Sequence, residues 1–511
     1  MKNVLLGSHV QTTWNLKENL ESKEQVEDNV SPYDLGATQL IHNSQLDIYN
    51  TAHKTRRTGI ICTIGPASQS VEMMQKLIEV GMNVVRMNFS HGTHQYHATT
   101  AENARAAAHK LGIEICIALD TKGPEIRTGN FENDKVYVLE LGKKVRVTTN
   151  DQYMNKGTAE QFYVDYKNIT NVVKKVTLCM WMMGWVNLPN VPVDLPALSE
   201  QDRKDLAFGV KQKVDMIFAS FIRSAEDVIG IRKELVSHDK EVGGRIMIIA
   251  KIENHQGMQH FDKILDVADG VMVARGDLGI EIPVQKVFLA QKMMVSKCNM
   301  KGKPVIVATQ MLESMITNPR PTRAEVSDVA NAVLDGADCV MLSAESAKGK
   351  YPIEAVTMMA NICREAETAR NSYEYFLQVS QSLKKPLGIP DTVALSAVQS
   401  CFEQQSQTMI VLTNSGTTAR LVAKFRPPCP VIAVVGNTYS HTLRQLAITA
   451  GVYPIGYDDK QGKQSADDRI ELAISYAKKR QWAKTGGYIV AVHADKLNTG
   501  FANLIRILTV P

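Results

Sequence analysis

Short apolar runs alternate with longer amphipathic stretches along the chain from residue 56 onward. Eight of these runs are rich in strand-forming residues and nearly continuously apolar, as buried parallel strands are. They lie at 58–65, 83–90, 113–120, 214–221, 245–253, 270–277, 304–311 and 338–345. Helix-like segments, such as 70–81, 224–235 and 327–337, lie between most of them. This α/β alternation predicts a closed (β/α)8 TIM barrel, with a doubly wound open sheet as the alternative.

Two regions depart from this rhythm and divide the chain. The first shows the alternation of a β-sheet, as in KVYVLELGKKVRVTT, and no amphipathic helix, which predicts a β domain inserted after the third strand. The second follows a PLGIP linker, where helices and strands resume as an open-sheet α/β domain. The chain begins with a polar stretch without sustained periodicity, which predicts a flexible arm with one short helix in LKENLESKEQVEDN. The predicted domains are 1–55 (arm), 56–127 with 194–385 (barrel), 128–193 (insert) and 386–511 (C-terminal domain).

Polar residues stand where the apolar runs end. They are Arg86, Asn88, Ser90, His91, Asp120, Thr121, Lys122, Glu125, Arg127, Lys251, Glu253, Arg275, Asp277, Thr309, Gln310, Glu313, Ser343 and Glu345. Active sites of such barrels lie at the carboxyl ends of the strands, so we expect these residues to converge on one rim. Lys251 and Glu253, two residues apart, face the same side of a strand and are either a surface ion pair or part of a site. The convergence favours the site.

The residue types at this rim indicate phosphoryl transfer. Glu253 and Asp277 offer hard carboxylate oxygens of the kind that Mg²⁺ or Mn²⁺ binds. Arg86, Arg127 and Lys251 supply fixed positive charge around a transferring anion. A monovalent cation is predicted at the oxygen atoms of Asn88, Ser90, Asp120 and Thr121. Any one of these residues is as well explained as a structural polar group at the start of a loop, but the whole set is not.

The composition narrows the class of protein. With 44% hydrophobic and 22% charged residues among 511, the chain is typical of a soluble globular protein. A net charge of +5 without a block rich in Lys and Arg argues against a nucleic-acid partner. No apolar run reaches the length needed to span a membrane, and the eight cysteines are scattered without the spacing of a zinc site. We therefore expect a cytoplasmic protein that has no membrane partner.

Several blocks of sequence resemble the pyruvate kinase family. They include ICTIGPAS (61–68), VVRMNFSHG (84–92), ALDTKGPEIRTG (118–129), IIAKIENHQG (248–257), MVARGDLGIEIP (272–283) and MLSAESAKG (341–349). The resemblance covers nearly all of residues 56–511 outside the insert. It implies a barrel with a mobile lid domain inserted in it and a C-terminal regulatory domain. It also implies the last step of glycolysis, transfer of the phosphoryl group of phosphoenolpyruvate to ADP, by a Mg²⁺- and K⁺-dependent homotetramer.

The resemblance assigns roles to individual residues. Lys251 would stabilise the moving phosphoryl group, Arg86 would contact it, and Thr309 would lie in the proton relay from enolate to pyruvate. His91 and Arg127 would lie on the nucleotide side. The matching sets are Glu253 and Asp277 for the divalent ion, Asn88, Ser90, Asp120 and Thr121 for K⁺, Glu125 for K⁺ dependence, and Ala274, Arg275 and Gly276 for a substrate loop.

A second loop, TNSGTT in the C-terminal domain, matches the family's effector phosphate loop. It comprises Thr413, Asn414, Ser415, Gly416, Thr417 and Thr418. From its residues alone, this loop is equally a cradle for a phosphorylated ligand or an ordinary helix-capping turn. The final loop, HADKLNTG (493–500), lacks the Trp-Arg pair of members activated by fructose 1,6-bisphosphate. The resemblance therefore argues against that effector, and Lys496 is the residue of this loop that could meet an effector phosphate.

The insert also departs from the family pattern. VDYKNITNVV runs directly into KKVTLCMWMMGWVNLPN, so the lid is shorter than usual by roughly twenty-five to forty residues. Met183 and Gly184 stand where lid lysines are expected, and Lys174 and Lys175 are the nearest substitutes. Two alternatives to an active kinase remain open. One is a weakened or inactive relative that binds ligands or assembles with other subunits; the other is a different metal-dependent barrel enzyme acting on phosphoenolpyruvate or pyruvate.

Overall fold

The computed structural model describes residues 38–53, 55–132, 137, 140, 142–173, 180–182, 185–188, 195–459, 465–495 and 501–511. The strands are β1 Gly59–Thr63, β2 Val84–Asn88, β3 Cys116–Asp120, β4 Arg146–Thr148, β5 Gln161–Tyr163, β6 Met180–Met182, β7 Trp185–Asn187, β8 Met216–Ala219, β9 Met247–Ile252, β10 Gly270–Ala274, β11 Val305–Ala308, β12 Cys339–Leu342, β13 Thr408–Leu412, β14 Val431–Gly436, β15 Val452–Tyr457, β16 Tyr488–His493 and β17 Leu504–Thr509.

The α-helices are α1 Gln39–Ser44, α2 Val71–Val80, α3 His94–Lys110, α4 Ile169–Val172, α5 Glu200–Lys211, α6 Ala225–His238, α7 Lys240–Arg245, α8 His255–Gln259, α9 Phe261–Val267, α10 Arg275–Glu281, α11 Val287–Lys301, α12 Arg323–Asp335, α13 Ala344–Ala347, α14 Pro352–Thr368, α15 Ser372–Ser382, α16 Ile389–Glu403, α17 Thr417–Lys424, α18 Ser440–Gln445 and α19 Ala466–Lys479. Short 3-10 turns span Asp151–Tyr153, Val284–Lys286, Glu313–Ile316, Asn437–Tyr439 and Leu446–Ile448. No helix of the described residues is both long and apolar enough to cross a lipid bilayer.

Eight parallel strands close into a barrel in the order β1-β12-β11-β10-β9-β8-β3-β2. These strands are the eight apolar runs of the sequence, so the predicted (β/α)8 barrel is confirmed and the open sheet is excluded. Alternate residues of each strand point into the barrel or out toward the helices, which is why the runs are apolar throughout. Phe218, Met272 and Ile306 belong to the interior cluster, whereas Ile217, Val273 and Val307 pack in the layer beneath the helices.

Local sequence signals fix where the barrel helices begin and end. Ser199, Ser224 and Thr322 precede α5, α6 and α12, and each forms a capping box with an acidic residue three positions later. Gly336 ends α12 in the left-handed conformation (φ 109°), which a residue with a Cβ atom rarely adopts. The side chains of the three capping residues thus determine where these helices begin. Gly336 determines where α12 ends, before the chain enters strand β12.

The C-terminal domain is a five-stranded sheet in the order β15-β14-β13-β16-β17, with helices on both faces. The predicted open sheet is confirmed. Its last strand, β17, was not predicted from the sequence; it pairs antiparallel with β16 at the edge of the sheet. Its sequence, LIRILT, is a short apolar run that Arg506 interrupts, and all six of its residues are at least partly exposed.

The C-terminal domain covers the amino end of the barrel strands. Ile448, in the turn after α18, packs among the side chains inside the barrel. Asp215 and Asp338, which stand directly before β8 and β12, form ion pairs with Arg444 (2.7 Å) and Arg426 (2.8 Å) of that domain. This contact leaves the carboxyl ends of the strands as the end at which a site can open.

The inserted segment consists of two small two-stranded sheets. β4 pairs parallel with β5, and β6 pairs antiparallel with β7. A small apolar core of its own, which includes Phe162, Val164 and Val186, holds the segment together and includes Ile126 of the preceding loop. The pairs Lys174–Lys175 and Met183–Gly184 lie outside the described residues, as do Lys496 and the helix predicted in the first 37 residues. Of the predicted N-terminal arm, residues 38–53 include α1 and contact the end of α14, where His42 Nε2 lies 3.0 Å from the carbonyl of Ala369.

Candidate active site

Lys251 of β9 holds its ammonium group at the centre of a buried polar cluster. Its Nζ atom donates to the carboxylate of Asp120 (3.0 Å) and to the hydroxyl of Ser220 (2.7 Å), and it pairs with Glu253 (3.1 Å). Burial alone would lower the pKa of Lys251, but the charges of Asp120 and Glu253 raise this pKa above its ordinary value. The ammonium group is therefore charged at neutral pH, and the pair Lys251–Glu253 is buried rather than at the surface.

Asp120, at the end of β3, joins Lys251 to a second cation. Arg86 of β2 donates from Nε to the other carboxylate oxygen of Asp120 (2.6 Å) and from one terminal nitrogen to Thr63 (2.8 Å). Burial would raise the pKa of Asp120, yet the charges of Arg86 and Lys251 outweigh it and hold the pKa below its ordinary value. Arg86 and Lys251 therefore both pair with the carboxylate of Asp120, which stays ionised.

Glu253 and Asp277 are the two carboxylates predicted to bind a divalent ion. Glu253 follows β9, is buried, and accepts a hydrogen bond from the backbone N–H of Phe221 (2.6 Å). Asp277 lies in the first turn of α10. Burial raises the pKa of both carboxyl groups, and at Glu253 the charge of Asp277 adds to this effect while Lys251 opposes it. An additional cation would relieve this penalty, so the pair fits a Mg²⁺ or Mn²⁺ ion.

This pair is not a complete metal cage. Among the described residues, no group of three or more His, Cys, Asp and Glu side chains is placed to hold a metal ion. Two carboxylates leave most positions of an octahedral ion open for water and substrate oxygens, which is typical of Mg²⁺ sites that bind phosphate.

The residues predicted to bind K⁺ surround the end of β2 and β3. Asp120 and Thr121 are buried, and Thr121 Oγ1 accepts from the N–H of Ser220 (3.1 Å). The side-chain oxygen of Asn88 accepts from the N–H of Ser90 (3.2 Å), which folds the loop back over the strand end. Asp120 already pairs with two cations, so the neutral oxygens of the set are the ones free of ion pairs.

Glu125 and Arg127 form an ion pair on the loop after β3. Arg127 Nε donates to Glu125 (2.7 Å). Burial raises the pKa of Glu125, and the charge of Glu253 raises it further, whereas the charge of Arg127 lowers it. Glu125 is therefore close enough to the site for the charges there to affect it. Partial burial and the positive charges of Arg127, Lys348 and Arg86 lower the pKa of His91. His91 and Arg127 therefore share one electropositive side of the rim.

Thr309, after β11, has a left-handed backbone (φ 76°), and so does Gln310 (φ 55°). Arg275 holds this turn: its guanidinium donates to the carbonyls of Ala308 (3.1 Å) and Thr309 (2.8 Å) and bonds both carboxylate oxygens of Asp328 (2.6 Å each). The sequence predicted Arg275 at the rim as part of a substrate loop. Its side chain supports the Thr309 turn, and Asp277 of the same segment is close enough to Glu253 for its charge to raise the pKa of that residue.

Glycine is required where the substrate loop passes this turn. A Cβ atom on Gly276 would lie 2.8 Å from the methyl group of Thr309, too close for any other residue without a shift. Glu345, another predicted rim residue, is buried and accepts from the backbone N–H groups of Leu312 (3.2 Å) and Ser343 (2.7 Å). It ties two loops together and does not open toward the site.

Sequence reasoning missed Ser220. It follows β8, whose run ended in ASF, without a charged residue at that end. The structure brings its hydroxyl to Lys251, and the same hydroxyl donates to the carbonyl of Thr121 (2.6 Å). The signal was its position directly after a barrel strand, the same signal that identified the other rim residues.

The TNSGTT loop lies in the other domain, between β13 and α17. Gly416 adopts a left-handed conformation (φ 76°) before α17, and its N–H donates to Thr413 Oγ1 (3.0 Å). The hydroxyls of Ser415 and Thr417 contact each other (3.0 Å). The loop is therefore a turn at a helix start whose hydroxyls bond mainly within the loop, and it is not part of the barrel cluster.

Two family models match the chain. The model described as "Pyruvate kinase, barrel domain" matches residues 55–184 and 180–356, and "Pyruvate kinase, alpha/beta domain" matches residues 391–508. The two barrel matches meet at the β6–β7 hairpin of the insert.

Several curated proteins are similar over nearly the whole length. The pyruvate kinase of Leishmania mexicana is 50% identical over 504 aligned positions, which include 93% of this chain and 100% of the relative. Pyruvate kinase 1 of Trypanosoma brucei brucei is 50% identical over 505 positions, with the same shares of the two chains. Human pyruvate kinase PKLR is 44% identical over 518 positions, which include 94% of this chain and 89% of the relative.

Proposed function

The chain belongs to the pyruvate kinase family and is a phosphotransferase, and we propose that its reaction centre is the cluster around Lys251. The reaction transfers the phosphoryl group of phosphoenolpyruvate to ADP and gives pyruvate and ATP. The single observation that supports this placement best is the ammonium group of Lys251, held between Asp120, Ser220 and Glu253 at the carboxyl end of the barrel.

Lys251 and Arg86 provide fixed positive charge for the transferring group. A phosphoryl group in transfer carries its charge on three equatorial oxygens, and preorganised cations stabilise that charge without reorganisation at the moment of reaction. Asp120 holds both cations through one carboxylate, and its charge helps to raise the pKa of Lys251. Because Asp120 is buried and ionised, it orients them and is not itself a proton donor.

Glu253 and Asp277 would hold Mg²⁺ (or Mn²⁺). The ion, when bound, supplies charge neutralisation for the phosphoryl oxygens. Burial raises the pKa of both carboxyl groups and the charge of Lys251 opposes this at each, so a bound cation would favour the ionised form in which the two residues bind it. Asn88, Ser90, Asp120 and Thr121 would hold K⁺ next to them, and Glu125 accounts for a K⁺ requirement.

Thr309 is placed to assist the proton transfer that turns enolate into pyruvate. Thr309 has a left-handed backbone, and Arg275 donates to its carbonyl, so its main chain is held in one position beside α10. His91 and Arg127 form the nucleotide side, where positive charge at Arg127 attracts the ADP phosphates.

The short insert would act as a reduced lid. About 475 residues of this chain take part in the 504-position alignment with the Leishmania protein, so roughly 29 positions of that relative have no counterpart here. The break between the two barrel-model matches at residues 180–184 is consistent with a gap in the insert. A lid that covers less of the site excludes less water and gathers fewer nucleotide phosphates, so we expect weak ADP affinity and slow turnover.

We also propose a homotetramer, because two apolar surfaces are uncovered in one chain. Val284, Phe288 and Leu289 are exposed around the start of α11, and Leu504 and Ile507 are exposed on the edge strand β17. Two separate surfaces of this kind allow two different self-complementary interfaces, the requirement of a tetramer with dihedral symmetry.

A sugar-phosphate effector would bind at Thr413–Thr418, and the free cysteines among the described residues fit a cytoplasmic location.

Steady-state pyruvate formation from phosphoenolpyruvate and ADP tests the proposal. The assay is run with Mg²⁺, with and without K⁺, and with Lys251→Met as the inactive reference. We expect ADP- and K⁺-dependent turnover that the substitution abolishes. Equal activity of the wild type and Lys251→Met in well-folded protein would show that the reaction centre is elsewhere.

A further inference from the structure

A small cavity lies between the barrel and the C-terminal domain, at the amino end of the barrel strands. It has room for about one water-sized molecule, about 10 Å³. On the barrel side it is lined by the turn that follows α11, including Lys303, and by Asp338 before β12. On the other side it is lined by Arg420, Lys424 and Arg426 around α17 and by Thr449. None of these residues belongs to the candidate active site.

Three hydrogen-bonding groups of this wall have no protein partner among the described residues. They are the Nε atoms of Arg420 and Arg426 and the Oγ1 atom of Thr449, and all three are buried. The two terminal nitrogens of Arg420 are directed elsewhere, to the carbonyl of Ser415 (3.1 Å) and the sulfur of Met247 (4.0 Å). A buried donor without a partner destabilises the folded chain, so three such groups at one cavity indicate a missing acceptor.

The cavity wall is also strongly positive. Among the described residues, its lining includes the cationic Lys303, Arg420, Lys424 and Arg426 and one carboxylate, that of Asp338. The ammonium group of Lys303 donates to the carbonyls of Leu265, Asp266 and Ala268. Lys424 has a distant partner in Asp391 (3.5 Å). Within the described residues, Arg420 forms no ion pair, and its burial lowers its pKa, with only the charge of Asp269 opposing. A buried guanidinium without a counter-charge is costly and favours an anion beside it.

Water is a poorer occupant than an anion, because a water molecule must also donate its hydrogens. The acceptors of the wall are already in use. Asp338 accepts from Arg426 and from the N–H groups of Val305 (3.0 Å) and Ala450 (3.1 Å). The carbonyl of Pro304 accepts from the N–H of Val271 (3.0 Å). The wall thus offers unpaired donors and positive charge, whereas its carboxylate and the Pro304 carbonyl already accept hydrogen bonds.

We propose that this cavity is a binding site for a small monovalent inorganic anion of the size of chloride, held by the Nε–H of Arg420 and the hydroxyl of Thr449. The bound anion joins α17 to the turn that contains Thr449, beside the Arg426–Asp338 ion pair between the two domains. It therefore stabilises the native C-terminal domain where that domain faces the barrel. The proposal does not depend on the reaction that the barrel carries out.

Bromide, which substitutes for chloride and scatters anomalously, gives the direct test. Crystals of the full chain are grown with sodium bromide, and data are collected at the bromine absorption edge. We expect an anomalous peak in the cavity, in contact with Arg420 Nε and Thr449 Oγ1. A normal water peak without anomalous signal, or an empty cavity, overturns the proposal. This experiment uses the wild-type chain and does not depend on the folding of any variant.

Chloride dependence of stability gives the second test. The unfolding midpoint is measured against chloride at constant ionic strength, with the balance made up by glutamate, an anion too large for the cavity. An anion that binds only the native state lowers the unfolding equilibrium constant by about 10-fold when its concentration is about ten times its dissociation constant. Arg420→Met and Thr449→Val should lose this dependence.

Arg444→Gln is the matched control. It removes a guanidinium from the same domain contact, but Arg444 pairs with Asp215 and does not line the cavity. We expect this variant to be less stable than the wild type yet to keep the full chloride dependence. Equal chloride dependence in the wild type, Arg420→Met and Arg444→Gln would contradict the proposal, because it would show a general salt effect.

Discussion

Replacing Ser220 by alanine separates the positioning of Lys251 from its charge. The Ser220 hydroxyl accepts from the Lys251 ammonium group at 2.7 Å and donates to the carbonyl of Thr121 at 2.6 Å. Alanine removes both bonds, while Asp120 and Glu253 continue to hold Lys251 protonated. The cation would stay charged but lose one of the three contacts that fix its position.

The size of the effect follows from the kind of bond lost. A hydrogen bond to a charged group contributes about 1.5–3 kcal/mol. If the full amount is expressed in the transition state, where Lys251 must meet the moving phosphoryl group, kcat falls by about 10- to 150-fold. A bond that matters equally in the substrate complex and in the transition state would raise KM for phosphoenolpyruvate and leave kcat unchanged.

Steady-state kinetics at saturating Mg²⁺ and K⁺ measure this directly. Ser346→Ala is the control, because Ser346 is also fully buried and donates to a backbone carbonyl, that of Thr63 (2.9 Å), without contacting Lys251. Both variants should lose a similar amount of stability in urea unfolding, but only Ser220→Ala should lose kcat. A kcat for Ser220→Ala within twofold of the control would refute the positioning argument.

Three further predictions concern other parts of the molecule. Asp328→Asn removes one of the two bonds to Arg275 and loosens the Thr309 turn, so kcat should fall about 10-fold, whereas Asp335→Asn on the same helix should leave it unchanged. Glu253→Gln should shift the Mg²⁺ titration of activity to concentrations higher by at least about 10-fold, and unchanged Mg²⁺ dependence would exclude Glu253 as a ligand. Burial and the positive charges of Arg245 and Arg444 lower the pKa of His441 to about 4, although the charge of Glu241 opposes them. The stability of the protein should therefore fall as the pH drops from 6.5 toward 4. His441→Gln should flatten this part of a profile of the urea midpoint against pH.

The architecture could be predicted because its determinants are local. Each barrel strand is a continuous apolar run, and each capping residue stands a fixed number of positions from the helix that it starts. Edge strand β17 escaped because its apolar run is short, is interrupted by Arg506, and has no fully buried residue. The residues of the rim could be predicted for a related reason. All strands of a parallel barrel run in the same direction, so the residues at which they end in the sequence lie together at one end of the barrel.

Which residues of the rim contact one another could not be predicted, because these contacts depend on the register between strands that are far apart in the sequence. Arg275 and Thr309 look equivalent in the sequence, each a polar residue after an apolar run, yet one supports the backbone turn of the other. Arg420 gave no signal at all: an arginine in an amphipathic helix is normally solvated, and only its position beneath the barrel shows that it is buried without a counter-charge.

Lys251 and Glu253 show how burial decides between the two interpretations of a charged pair. On a surface, the pair would contribute about 0–1 kcal/mol, and nothing would require further partners. Inside the barrel, each charge carries a desolvation penalty of several kcal/mol, which a single ion pair does not offset. The second and third partners of Lys251, Asp120 and Ser220, lie 131 and 31 positions away along the chain. A buried lysine with this many partners is held rigidly, and a rigid cation is what phosphoryl transfer needs and what a surface ion pair lacks.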